Sequence, residues 1–224
     1  MKEKDTLLKI YESLLNHFGH RNWWPGDTKW EVIIGAILTQ NVSWKNVEQA
    51  IANLKQAHCF ELKEIYERPM EEIAQLIRPS RYYNMKAKKL KAMAAHIMER
   101  YQGNVDLFLQ ADKGLENLRQ EVLSIWGVGP ETADSILLYA GGLPTFVVDA
   151  YTKRIFSRLG IFPETIGYDE MRDYFMKNLP QDTRLFNDYH AQIVALGHNI
   201  CKNVPQCEIC PLKELDTLKY KCQR

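Results

Sequence analysis

The sequence lacks any apolar run near the roughly 20 residues that a membrane span needs. Its first residues, Met1-Lys2-Glu3-Lys4-Asp5, carry no apolar signal core. A cytoplasmic protein with no membrane partner is therefore expected. An excess of one charge is also missing. Lys and Arg number 29 against 28 Asp and Glu, a net +1, so composition announces no nucleic-acid surface and any such surface must come from local clustering. Strand signals are scarce, with only Thr145-Phe146-Val147-Val148 reading as extended. No internal repeat or low-complexity segment is present. Cysteine is nearly absent until the end of the chain: Cys59 stands alone, and the other four are Cys201, Cys207, Cys210 and Cys222. In a cytosolic protein such clustering points to metal rather than to disulfides.

What is present is helical periodicity. Helices are expected at about 6–18, 29–39, 43–57, 70–77, 83–101, 115–125, 130–141, 149–159, 168–178 and 182–200. The segment KWEVIIGAILT is apolar on nearly every side and predicts a central, buried helix. Residues 83–101 place Tyr83, Ala87, Leu90, Ala94, Ile97 and Tyr101 on one face, with Lys86, Lys88, Lys89 and Lys91 opposite, for solvent or for phosphate. Pro130 suits a first helical position, and Asp149 and Asp182 are good N-caps. The fold class is all-α. Breaks fall at Gly141-Gly142-Leu143-Pro144 and near Pro25-Gly26-Asp27.

Residues 123–133, LSIWGVGPETA, end one helix, turn on Gly-Val-Gly and start another at Pro130. Both glycines can take backbone angles closed to other residues, and both allow close approach of a ligand. The new helix presents unpaired N–H groups and the positive end of its dipole, a combination that suits phosphate. Asp149 lies 20 residues beyond Gly129. By itself it is an ordinary helix cap. A carboxylate held rigidly at a helix start and kept ionised by the dipole can also stabilise a cationic sugar or orient a water.

The pairing of Gly-Val-Gly-x-x-Thr-Ala with Val-Asp resembles the endonuclease III superfamily of helix-hairpin-helix DNA glycosylases, from about residue 23 to 210. The resemblance implies two helical domains with a DNA cleft between them: 29–142 with the hairpin, and 1–28 plus 143–224 with Asp149 and the cysteines. It implies that Asp149 is catalytic and that Gly127, Val128 and Gly129 bind backbone phosphate. Bifunctional members carry a lysine nucleophile two residues after the second hairpin glycine. Here that position is Glu131, and a carboxylate cannot form a Schiff base. A monofunctional enzyme that leaves an intact abasic site is expected, with Lys153 as the alternative nucleophile.

Trp23-Trp24-Pro25-Gly26, the string Leu38-Thr39-Gln40-Asn41 with Trp44 after it, and IRPSRYYNMKAKKL at 77–90 narrow the likeness. They resemble a bacterial 3-methyladenine DNA glycosylase of the endonuclease III type. By that resemblance Trp23, Pro25 and Trp44 line the base pocket, while Gln40 and Tyr82 fill the hole left by the flipped base. Core packing is the competing reading for Tyr82 and for each tryptophan. Aromatic faces attract cationic bases, and an N3-alkylated purine is already cationic and leaves without a general acid. The expected substrate is thus an alkylated purine in double-stranded DNA, acted on by a monomer. The alternatives are a glycosylase for oxidised or mismatched pyrimidines and a non-catalytic DNA-binding hairpin protein.

The spacing Cys201-x5-Cys207-x2-Cys210-x11-Cys222 compares with C-x6-C-x2-C-x5-C in the superfamily's iron–sulfur loop. A [4Fe–4S] cluster of structural role is expected, with zinc or no metal as alternatives. The chain would thereby combine an iron–sulfur loop with the pocket of the alkyl-purine relatives. Cys59 reads as a small buried apolar residue.

Overall fold

The computed structural model describes residues 2–21, 23–213 and 215. Among them no strand occurs, and the chain is all-α. It divides into two compact units, Met1–Trp24 with Pro144–Arg224, and Pro25–Leu143.

The first unit contains α1 (Lys2–Phe18), and the second continues with α2 (Lys29–Leu38), α3 (Trp44–Gln56), α4 (Leu62–Glu67), α5 (Met70–Leu76), α6 (Tyr83–Tyr101), α7 (Val105–Phe108), α8 (Leu115–Ser124) and α9 (Pro130–Ser135). The short α4 and α7 carry too few turns to show a period. Helix α9 runs on through a π-helical turn, Ile136–Ala140. As its composition predicts, α2 is the hub. Every residue from Trp30 to Leu38 is buried, against α3, α6, α7, α9 and the π turn. Burying an aliphatic side chain of this kind stabilises by about 1.5–3 kcal/mol. The charged exception, Glu31, pairs with Lys55 at 2.7 Å.

Back in the first unit, α10 (Ala150–Arg158), α11 (Tyr168–Asn178) and α12 (Thr183–Asn199) join α1 around an aromatic core. Phe146 stacks on Phe175 at 4.1 Å, and Phe156, Phe186 and Tyr189 meet this pair edge-on. The Tyr189 hydroxyl donates to the Leu7 carbonyl at 2.7 Å and ties α12 to α1. Residues 145–148 form no strand; their side chains are instead buried, with Phe146 in this core. Arg172 Nε donates to Thr145 Oγ1 at 3.0 Å at its start. Gly197 lets α12 approach α10 closely, since a Cβ there would lie 2.4 Å from the Tyr151 ring.

The α6 lysines depart from the expected solvated face. Lys88 is exposed, but Lys86 is buried, and Lys91 donates to the carbonyls of Tyr66 and Arg68. Long aliphatic stems let these ammonium groups reach carbonyls left open at the ends of neighbouring helices.

Arg119 of α8 and Asp134 of α9 form a buried multidentate pair, with Nε–Oδ1 at 3.0 Å and Nη2–Oδ2 at 3.1 Å. The pair fixes the two arms of the hairpin to one another. Arg119→Met leaves a buried carboxylate without its guanidinium and should cost about 3–5 kcal/mol, whereas the double variant Arg119→Met, Asp134→Leu should regain most of this. Urea denaturation of the two variants measures both outcomes.

Candidate active site and nucleic-acid interface

In the second unit, α8 ends at Ser124 and the chain turns through Trp126-Gly127-Val128-Gly129 into α9. The two glycines do different work. Gly127 has φ +85°, a region that disfavours side chains. A Cβ there would also strike Lys89 Cγ at 2.4 Å. Gly129 has φ −95° and ψ 174°, angles open to any residue. A Cβ on Gly129 would meet no protein atom within 4 Å. Its missing side chain therefore keeps the outer approach to the first N–H groups of α9 clear. Val128 is buried and anchors the turn. Beside it, half-exposed Trp126 carries the Lys88 ammonium 4.3 Å above its ring. Glu131, in the first turn of α9, is exposed.

Gln40 follows the C-terminus of α2. Its Nε2 donates to Thr132 Oγ1 at 2.8 Å, and its Oε1 accepts from Lys89 Nζ. Tyr82 immediately precedes α6 and is 70% exposed, which removes the core-packing reading. It lies in the left-handed region with φ 45°, and Arg81 before it has φ 56°. Two such residues in succession carry backbone strain for non-glycine side chains. Trp44, half-buried at the start of α3, is steadied by its Nε1 donating to Glu48 Oε1 at 3.0 Å. Pro25 is exposed in the same unit.

In the first unit, Trp23 and Trp24 are half-buried and meet edge-on at 5.4 Å. Asp149 is the N-cap of α10. Its Oδ1 accepts from Thr152 N at 2.7 Å and from Thr152 Oγ1 at 2.9 Å, while its own N–H donates back to Thr152 Oγ1 at 3.2 Å. Oδ2 faces His190 Nε2 of α12 at 3.6 Å. The Asp149 side chain is 12% exposed. Burial works against its ionisation, but His190 and the Thr152 donors outweigh that effect and hold the carboxyl below the usual carboxylate range. Two Thr152 donors thus occupy Oδ1, while Oδ2 is left to His190. Lys153, the alternative nucleophile, donates to the Ile166 carbonyl at 3.0 Å.

Sequence reasoning did not find Thr152 or His190. Thr152 had a signal, because the third position after a cap residue is where a capping box closes. His190 had none, since it lies 41 residues along the chain from Asp149 on an ordinary amphipathic helix.

Cys59 is fully buried, and burial pushes its thiol up. Cys201 and Cys210 are free thiols in the segment after α12. Arg158 Nη1 donates to Cys201 Sγ at 3.3 Å and to the Lys202 carbonyl at 2.6 Å. Cys207 is disulfide-bonded in this structure, unlike the free thiol expected of a metal ligand. Cys222 lies outside the described residues. Among the described residues no group of three or more His, Cys, Asp or Glu is placed to hold a metal, and no helix is long and apolar enough to cross a membrane.

Residues 34–181 match the family model of HhH-GPD superfamily base excision DNA repair proteins. The chain is 50% identical over 216 residues to a provisionally named DNA repair glycosylase of Methanocaldococcus jannaschii, covering 96% of this chain and 98% of that one. It is 30% identical over 183 residues to endonuclease III of Thermotoga maritima, covering 81% and 79%. Among solved structures it is similar to the H. pylori 3-methyladenine DNA glycosylase bound to 1,N6-ethenoadenine. That match has a TM-score of 0.73 at 29% identity and covers 88% of this chain and 97% of the other. The chain belongs to the HhH-GPD superfamily, the endonuclease III-like base excision DNA repair proteins.

Proposed function

We propose that this base excision DNA glycosylase is monofunctional and hydrolyses the N-glycosidic bond of alkylated purines such as 3-methyladenine in double-stranded DNA, acting as a monomer with Asp149 as its catalytic residue. The observation that carries the reading is the setting of Asp149: one oxygen fixed by Thr152, the other facing His190, and the carboxyl held below the usual carboxylate range.

In this reading Gly127, Val128 and Gly129 seat a phosphate on the clear approach above Gly129. Exposed Tyr82 and the amide of Gln40 enter the duplex where the base has left. Trp23, Pro25 and Trp44 are the residues proposed to receive the extruded base, and the two tryptophan faces favour a cationic purine by about 0.5–2 kcal/mol. The solved relative named for 3-methyladenine and bound to ethenoadenine supports a purine pocket. The bond between C1′ and the purine nitrogen breaks with both electrons going to the base, which leaves neutral because alkylation had made it positive. Asp149 Oδ2 stabilises the cationic sugar, and water adds to C1′. The proton from that water passes to the carboxylate and on to solvent. Exposed Glu131 stands where a lysine would form a Schiff base, and the Lys153 ammonium donating to the Ile166 carbonyl supports leaving it out of the chemistry.

Cys201, Cys207, Cys210 and Cys222 are proposed to hold a [4Fe–4S] cluster. Support comes from the free thiols of Cys201 and Cys210, the spacing of the four cysteines, and the Arg158 donor beside Cys201, which suits an anionic thiolate cluster; the Cys207 disulfide would have to be reduced for the cluster to form. Such a cluster would order the terminal loop. No step of the hydrolysis runs through it.

Methylated duplex DNA should release 3-methyladenine, and Asp149→Asn should lower the excision rate by about 10²–10³-fold or more; release of an oxidised or mismatched pyrimidine instead would replace the substrate assignment. Borohydride should trap no covalent DNA adduct with the native enzyme. Because the Asp149 pKa is depressed, its contribution to stability is present above the ordinary carboxylate value of about 4 and is lost as pH falls through the depressed value. Urea denaturation across this acid range should therefore show a smaller loss of stability for Asp149→Asn than for the native chain. The purified protein should absorb broadly in the visible and contain iron and sulfide in equal amounts; zinc by elemental analysis would displace the cluster assignment.

A further inference from the structure

Two lysines of α6 turn inward at the places where the DNA-facing segments of the second unit begin. Lys86 is 2% exposed. Its ammonium donates to the carbonyls of Leu38 at 2.7 Å and Ser80 at 2.6 Å. Leu38 stands two residues before Gln40, and Ser80 two before Tyr82. One buried cation therefore anchors the roots of both segments. Burial, and then the charge of Lys89, push the Lys86 pKa down to about 8.

Lys89 lies three residues further along the helix and does a finer job. Its ammonium donates to Gln40 Oε1, and its aliphatic stem runs against Gly127, within 2.4 Å of where a Cβ would stand. Gln40 Nε2 donates to Thr132 Oγ1 at 2.8 Å. A glutamine amide can face either way, but a cation on one side and a hydroxyl on the other select one orientation. The amide keeps one N–H and one oxygen lone pair for a further partner, a pattern that matches the edge of an unpaired base.

We infer that Lys89 is a positioning residue that aims the Gln40 amide at the base opposite the excised one, and that its contact with Gly127 couples this aim to the seating of the hairpin on phosphate. The inference rests on the reading that Gln40 enters the duplex. A flexible glutamine would lose rotamer freedom on meeting DNA. Here that freedom is already lost on folding, so binding does not bear the cost.

The test uses a duplex with a tetrahydrofuran abasic analogue opposite 2-aminopurine. Affinity and 2-aminopurine fluorescence are measured for the native chain, Gln40→Ala, Lys89→Met, their double variant and Lys89→Arg, with thermal unfolding of each. Methionine keeps the stem on Gly127 and removes only the ammonium. Each single variant should weaken binding by about tenfold, and the double by about the same tenfold, because coupled sites are not additive. The fluorescence change should be alike in both single variants and largely restored by Lys89→Arg. The dependence of affinity on salt should keep its slope in Lys89→Met; a slope reduced by about one would make Lys89 a plain phosphate contact instead. An additive loss of about a hundredfold in the double variant, or native-like fluorescence in Lys89→Met, overturns the inference while leaving the role of Gln40 intact. Native-like affinity and fluorescence in Gln40→Ala overturn the role of Gln40 and the inference with it.

Discussion

The N-cap of α10 is the constraint on which the rest of the first unit turns. A helix start exposes N–H groups that need an acceptor, and Asp149 supplies one oxygen to meet that need through Thr152. The same arrangement freezes the carboxylate, keeps it ionised and leaves Oδ2 toward His190. Structural and chemical demands on the residue therefore do not compete. The cap satisfies the helix with one oxygen, and in the proposed mechanism the other, beside His190, meets the sugar. The buried side chains of residues 145–148, with Phe146 stacked on Phe175, hold the segment that leads into it, so its position inherits the rigidity of the core.

In the second unit the equivalent constraint is a set of buried charges. Lys86 closes the carbonyls at the ends of two segments, and Arg119 with Asp134 closes the hairpin. Buried charges are expensive unless paired, and each of these is met by several acceptors or donors. What they gain is geometry. Gln40, Tyr82 and the Gly127 turn come from three distant stretches of chain, and α6 gathers their supports on one helix. The strained backbone at Arg81 and Tyr82 is held in this way, with Ser80 pinned just before it.

Much of the fold was legible in the residues. The period of α6 gave its bounds, the mostly apolar α2 announced itself as the hub, and Pro130 marked the start of α9. Short helices such as α4 and α7 escaped because four to six residues do not establish a 3.6-residue period. The lysines of α6 misled for a different reason. A lysine at a polar helical position looks solvated, yet its long stem can carry the charge back to a carbonyl that the sequence does not advertise.

Sequence alone determined the hairpin, the acid at its fixed interval, the absence of a lysine at 131 and the family to which these belong. Those features are local, since turn chemistry, caps and motif spacing are written within a few residues of one another. Tertiary structure decided which oxygen of Asp149 is committed, that His190 faces the other, that Gly127 needs its conformation while Gly129 needs only empty space, and that Lys89 reaches Gln40. These depend on the approach of residues tens of positions apart. Such approach is set by the packing of whole helices, and no short stretch of sequence encodes it.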